Sequence, residues 1–312
     1  MGETPTFRLF LSTESTGARQ RVLAVGNDFP MSLPIVDTHQ HLWAPQQFSY
    51  TWMQGEPSIR KRSLIEEYRE ATRGFDIVRT VYVDTDVDEQ NLAAEARLIF
   101  SLADDPANRL DGAVMGAKME KADPLSHLRP YLKHPKLKGI RRILHTQPDE
   151  LSQQPQFIAN VQSLADHGLS FDLCVLARQL PLALKLVRQC PRVNFIVDHC
   201  GVPDIKGGGM DPWRAHLRSI AGEPNVTCKI SGLVAYVDPK SWKAEDLRPY
   251  IEHTIACFGW DRVMWGGDWP VCTLTCSLAD WLNTALALTL SASTDQRDRL
   301  FRRNAERVYR LV

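Results

Sequence analysis

The sequence predicts a single (β/α)8 barrel, and three observations predict it. Eight short apolar segments alternate with amphipathic stretches over about 270 residues, close to the ~250 typical of that fold. Most of these segments are rich in Val, Ile and Phe without strict polar alternation, as strands buried on both faces are. No glycine-rich phosphate loop marks the competing open, doubly wound sheet. Gly207-Gly208-Gly209 lacks the lysine and Ser/Thr that a phosphate cradle needs, and reads as a loop.

The eight predicted strands are 35–41, 79–84, 112–118, 139–145, 170–175, 194–199, 226–231 and 262–268. Between them, 91–104 places Leu92, Ala96, Ile99 and Leu102 at helical spacing. Segment 157–167 does the same with Ile158, Val161 and Leu164, and Gly168 follows where a helix-ending glycine belongs. Leu184 and Val187 mark a helix over 180–190 that Pro191 stops, and 213–220, 247–258 and 278–290 complete the outer set. A last helix opens on the capping residues Ser293-Thr294-Asp295 and runs to Tyr309. Residues 1–33 differ in composition, with only Phe7 to Leu11 strongly apolar, and are expected to form an N-terminal extension to a domain spanning 34–312. Met31 is an alternative natural start.

The chain has 312 residues, 44% hydrophobic and 24% charged, enough for a sizeable core. Lys+Arg (37) balances Asp+Glu (37), so no global field recruits nucleic acid or an anionic membrane. No apolar run approaches the roughly 20 residues of a membrane span, and no signal peptide is recognised. Seven cysteines form no CxxC pair and read as free thiols in a reducing compartment, so a cytoplasmic protein is expected. The expected partner is a small molecule, and the sequence leaves a homo-oligomer open.

Functional groups of such a barrel sit at the C-terminal strand ends. Strand one ends in His39-Gln40-His41, strand six in Asp198-His199 and strand eight in Gly266-Gly267-Asp268-Trp269. Strand four carries Arg141 and Arg142, strand five Asp172, and strand seven Lys229 and Ser231. Buried strands do not finish so consistently in titratable residues unless a polar pocket collects them. Alternation places Asp37, His39 and His41 on one face of their strand, and puts Arg141 inward with His145. His39 and His41 can hold a metal or donate paired hydrogen bonds to an anion, and His39, His41, His199 and Asp268 are the expected catalytic set. Arg141, Lys229, Asp172, Trp43, Trp52 and Trp269 are the expected substrate-binding residues, the tryptophans suiting a sugar-like ring. Cys174, Cys200 and Cys228 read as packing.

The string Val36-Asp37-Thr38-His39-Gln40-His41-Leu42-Trp43, with Phe48-x-Tyr50-x-Trp52 after it, resembles the opening of the amidohydrolase-related lactonases. Further matches are Lys138-Gly139-Ile140-Arg141, Phe171-Asp172-Leu173, Asp198-His199-Cys200-Gly201-x-Pro203 and Lys229-Ile230-Ser231-Gly232-Leu233. The run from Arg262 to Val271 and Asn304-Ala305-x-Arg307-Val308-Tyr309 complete them. The resemblance implies a barrel hydrolase that opens a small lactone, most simply a sugar lactone such as L-fucono- or L-rhamnono-lactone. It also implies Asp268 and the strand-one histidines as active-site residues; for lactone opening, Asp268 is the expected general base, with His39, His41 and His199 around the carbonyl oxygen. Metal-dependent members of the wider superfamily add a strand-five histidine that is missing here, so no metal is expected to be required. One zinc ion held by His39, His41 and Asp268 is the alternative. Metal-dependent amide hydrolysis, decarboxylation, or a non-catalytic sugar-acid binding protein are the other readings.

Overall fold

Eight strands alternate with helices along the chain. They are β1 (Ile35–Gln40), β2 (Ile77–Val83), β3 (Leu110–Gly116), β4 (Leu137–Ile143), β5 (Ser170–Cys174), β6 (Phe195–Val197), β7 (Val226–Ile230) and β8 (Val263–Trp265). Each pairs in parallel with the next in sequence order. The ring closes where the His41 amide donates to the Trp269 carbonyl (2.8 Å) and the Asp268 amide to the His39 carbonyl (2.7 Å). This is the predicted (β/α)8 barrel, with every predicted strand in place. The computed structural model describes residues 33–311, so nearly all of the expected extension, and Met31, lie outside the described residues. No helix among the described residues is long and apolar enough to cross a membrane.

The crossovers carry α1 (Ile65–Ala71), α2 (Leu92–Asp104), α3 (Pro155–Ser163), α4 (Leu180–Gln189), α5 (Trp213–Ala221), α6 (Ala244–Phe258) and α7 (Leu278–Leu288). Helix α1 escapes the sequence pattern because its seven residues bury only Ile65 and Tyr68, too few for a period to show. Between β3 and β4 a 3-10 turn, Ser126–Tyr131, replaces a helix, with Pro130 inside it. The predicted last helix is α8 (Thr294–Asp298) and α9 (Asn304–Val308) joined through one π turn, Arg299–Arg303. Ser277 and Ser293 cap α7 and α8 through the amides of Asp280 and Gln296, each cap contributing about 1 kcal/mol.

Outward-facing strand residues such as Phe171, Phe195, Ile230 and Trp265 pack under the helices, while Val36, Val81, Val83, Val114, Ile196 and Met264 fill the barrel floor. Tyr309 and Leu311 plug that floor from below. Asn304 explains the C-terminal motif: its side-chain amide donates to the carbonyls of Trp260 (2.7 Å) and Val263 (2.8 Å) at the foot of β8.

Strand β1 departs from the predicted alternation. Its register against β2 shifts between Asp37 and Gln40, which breaks the period-two pattern. Asp37 therefore faces the helix layer, where it accepts from the Tyr68 hydroxyl (2.7 Å) and the Gly267 amide (2.7 Å). His39 turns into the barrel without it. Asp37 is thus a brace between β1, α1 and β8 rather than a member of the histidine face.

Candidate active site

The C-terminal strand ends bring His39, His41, His199 and Asp268 together, all at most 5% exposed. The rings of His39 and His41 stand 4.9 Å apart, and those of His39 and His199 4.6 Å apart. Asp268 adopts a left-handed backbone (φ 53°) just past β8, which turns its carboxylate toward the imidazoles. Its Oδ1 lies 3.2 Å from His41 Nε2 and 3.6 Å from His39 Nε2. Burial pushes the Asp268 carboxyl up, but His199, His41 and His39 outweigh it and hold it at about 2.

The two first-strand histidines are held differently. His41 Nδ1 donates to the Val83 carbonyl at 2.9 Å, because a carbonyl can only accept. The remaining nitrogen, Nε2, is then a lone pair facing a carboxylate oxygen, and two acceptors face each other unless a cation or a proton lies between them. His39 Nδ1 lies 3.4 Å from Asp198 Oδ1 and 3.3 Å from Lys229 Nζ. Burial, then the Lys229 charge, holds the His39 imidazole well below its ordinary pKa, so it stays neutral. One ligand atom each of His39, His41 and Asp268 lie within 4.8 Å of one another, as do those of His39, Asp198 and His199. Two imidazoles plus a carboxylate are the donor types of a catalytic zinc site.

His199 lies in the left-handed region (φ 54°) and its Nδ1 is 2.9 Å from the Ser231 hydroxyl. Gly232 makes room for it. A Cβ there would sit 2.3 Å from His199 Nδ1, and the residue's φ of +64° already favours glycine.

Below the histidines runs a buried ion network. Lys229 Nζ lies 2.6 Å from Asp172 Oδ2 and 3.1 Å from Asp198 Oδ1, with all three side chains fully buried. Arg141 is inward as alternation predicts. It pairs with Asp84 through Nε and lies 3.3 Å from Asp198 Oδ2. The Tyr309 hydroxyl donates to Asp172 at 3.0 Å, linking the barrel plug to the site. Burial pushes the Asp198 carboxyl up, but Lys229, His39 and Arg141 prevail and keep it well below its usual range. Lys229 and Asp172, expected to touch substrate, are therefore placed beneath His39 and pair with each other.

The tryptophans divide. Trp43 is buried behind His41, its ring stacked 6.0 Å away at 16°. Trp269 is buried against Tyr68 in the helix layer. Trp52 is the exposed one (38%), edge-on to Trp43 and donating from Nε1 to the Thr85 carbonyl (2.8 Å). Sequence reasoning left Asp84 and Asp198 out of the site. Each ends a predicted strand or nearly so, and that position was the available signal.

The amidohydrolase family's sequence profile matches residues 36–311, and the chain belongs to that family. An L-fucono-1,5-lactonase of Burkholderia ambifaria is 28% identical over 88% of this chain and 95% of its own length. An uncharacterised protein of Sinorhizobium fredii, y4mH, is 31% identical over 89% of this chain and 99% of that one. Among solved structures, an amidohydrolase from Burkholderia multivorans with bound zinc superposes with a TM-score of 0.81 at 26% identity, covering 89% of this chain and 99% of that one. These findings overturn the expectation that no metal is required. That neighbour binds zinc, and this chain presents a buried His39–His41–Asp268 donor set. The missing strand-five histidine misled because a catalytic zinc needs only three protein ligands and an open position.

Proposed function

We propose that this chain is a metal-dependent hydrolase that opens a small sugar lactone, of the L-fucono- or L-rhamnono-lactone kind. The observation that carries the reading is the His41 Nε2 lone pair directed at Asp268 Oδ1, an arrangement that invites a cation. The L-fucono-1,5-lactonase relative supports the substrate class. Seven free cysteines support a reducing, cytoplasmic setting.

His39, His41 and Asp268 would hold the metal, which, when bound, polarises the ester carbonyl and lowers the pKa of water. The chain's residues supply the rest. The Val83 carbonyl fixes His41 with Nε2 inward, and Asp198 does the same for His39 from the Nδ1 side. Asp268 accepts the proton of the attacking water and returns it to the ring oxygen as the ester opens. His199, steadied by Ser231, offers its Nε2 to the carbonyl oxygen as negative charge develops there. Arg141 holds Asp84 and Asp198 in register, and Trp52 forms the exposed aromatic rim over the pocket.

Acid release from a library of aldonolactones, measured for the wild type and Asp268→Asn, tests the reading. Loss of a positioned base costs roughly 10²- to 10⁴-fold, so the variant should fall by at least 10²-fold in kcat. Equal rates in both would refute the assignment of Asp268.

A further inference from the structure

Resting on the reading of this chain as a sugar-lactone hydrolase, we propose that His145 and Tyr236 read the hydroxyls of a neutral polyol lactone, and that Cys174 sets the tautomer of His145 for that task. His145 lies two residues beyond β4, at the barrel mouth, and is half-buried. Its Nδ1 is 3.1 Å from the sulfur of Cys174, the last residue of β5. The His145 amide also donates to the Cys174 carbonyl (3.2 Å), so the ring is fixed from two sides.

A cysteine beside a histidine suggests a nucleophile. The surroundings say otherwise. Burial pushes the Cys174 thiol up, against the opposing charge of Arg141, so the sulfur keeps its hydrogen. Burial, then the charges of Arg141 and His199, pushes His145 down to about 4, so the ring is neutral at ordinary pH. Between a neutral thiol and a neutral imidazole the ring nitrogen is much the better acceptor, so S–H donates to Nδ1. The ring hydrogen is then on Nε2. That atom has no protein partner among the described residues and is not sealed from solvent. His145 therefore presents one neutral N–H donor at the mouth.

Tyr236 ends the 3-10 turn Leu233–Tyr236 that follows β7, and its carbonyl accepts from the Lys206 amide (3.1 Å). Its phenol has no protein hydrogen-bond partner among the described residues and keeps its proton. Burial pushes it up, and Cys174, Asp268 and Asp198 add to the effect. Tyr236 sits on the connection that follows β7, and His145 follows β4 with its ring against the last residue of β5, so both lie at the C-terminal strand ends, the end of the barrel that carries the histidines.

The cations around the mouth are already engaged. Arg141 is held by Asp84 and Asp198, Lys229 by Asp172 and Asp198, Arg142 by Glu120 (2.8 Å) and Lys118 by Asp86 (3.4 Å). Each of these four cations already faces a carboxylate, whereas ring hydroxyls find an N–H and an O–H with no protein partner among the described residues. The combination selects a neutral, hydroxylated lactone over a carboxylated one.

The test compares a hydroxylated six-membered aldonolactone with unsubstituted δ-valerolactone in Tyr236→Phe, His145→Phe, Cys174→Val and Cys174→Ser. Loss of one neutral hydrogen bond is worth roughly 10-fold. Tyr236→Phe and His145→Phe should each lower kcat/KM for the aldonolactone about that much, mostly through KM, and spare δ-valerolactone. Cys174→Val should share part of the loss, and Cys174→Ser, which keeps a donor to Nδ1, should restore it. Equal losses on both lactones, or none on either, overturn the proposal. Calorimetry with a polyhydroxylated six-membered lactam reads the same contacts without ester chemistry. Lactam binding lost in both aromatic variants supports the assignment even if the wild type hydrolyses no lactone, an outcome that removes only the parent reading. Wild-type lactam affinity in both overturns it.

Discussion

Replacing Lys229 by methionine isolates the electrostatics beneath the histidines while keeping the side-chain volume. The ammonium lies 2.6 Å from Asp172, 3.1 Å from Asp198 and 3.3 Å from His39 Nδ1, and 5.5 Å above the Tyr309 ring. Its removal leaves two carboxylates in a fully buried site. Breaking a buried ion pair in this way costs about 3–5 kcal/mol. Arg141 still reaches Asp198 and the Tyr309 hydroxyl still reaches Asp172, so the lower end, about 3 kcal/mol, applies. At about 2 °C per kcal/mol for a domain of this size, thermal unfolding followed by circular dichroism should drop by about 6 °C at pH 8.

The pH dependence has a definite sign. Burial, opposed by Lys229, already raises Asp172 to about 6; losing Lys229 raises it further and removes the largest charge holding Asp198 below its usual range. A carboxyl whose folded pKa exceeds its unfolded value favours the fold at low pH and loses that contribution as pH rises through the folded pKa. The gap between wild type and Lys229→Met should therefore be widest near pH 8 and shrink toward pH 5. Asp172→Asn added to Lys229→Met should recover part of the loss. A variant within 2 °C of wild type at pH 8, or a gap that ignores pH, would refute the reasoning.

Two further outcomes follow from the site. Asp198→Asn removes the negative charge that steadies His39 and should weaken zinc affinity roughly 10- to 100-fold, read by competition with a chromophoric chelator. Gly232→Ala forces a methyl group against His199 and strains a left-handed backbone by roughly 1–2 kcal/mol. Circular dichroism should show the fold retained, while lactone hydrolysis falls at least tenfold.

The fold was legible because buried parallel strands are short apolar runs, and all eight stood out between helices of clear period. Helix α1 was hidden by its length, and the turn Ser126–Tyr131 by having no helical period at all. The site was legible where chemistry sits at strand ends: His39, His41, His199 and Asp268 do converge, and Arg141 points inward. Depth was not legible. Lys229 and Asp172 have the residue types of substrate ligands, and only the third dimension shows them paired below His39. Trp43 and Trp269 likewise look like pocket walls in the sequence and are packed behind it. Asp37 was misplaced because a register shift in one strand leaves no trace in a single chain's pattern.

The proposed hydrolysis depends most heavily on a metal held by His39, His41 and Asp268. Metal content by atomic emission and lactone hydrolysis should be followed together in the purified protein, before and after exhaustive chelation and after zinc is restored. About one bound metal per chain, as one catalytic zinc site requires, should be lost together with activity, and zinc should return both. Full hydrolysis by metal-free protein would contradict the account.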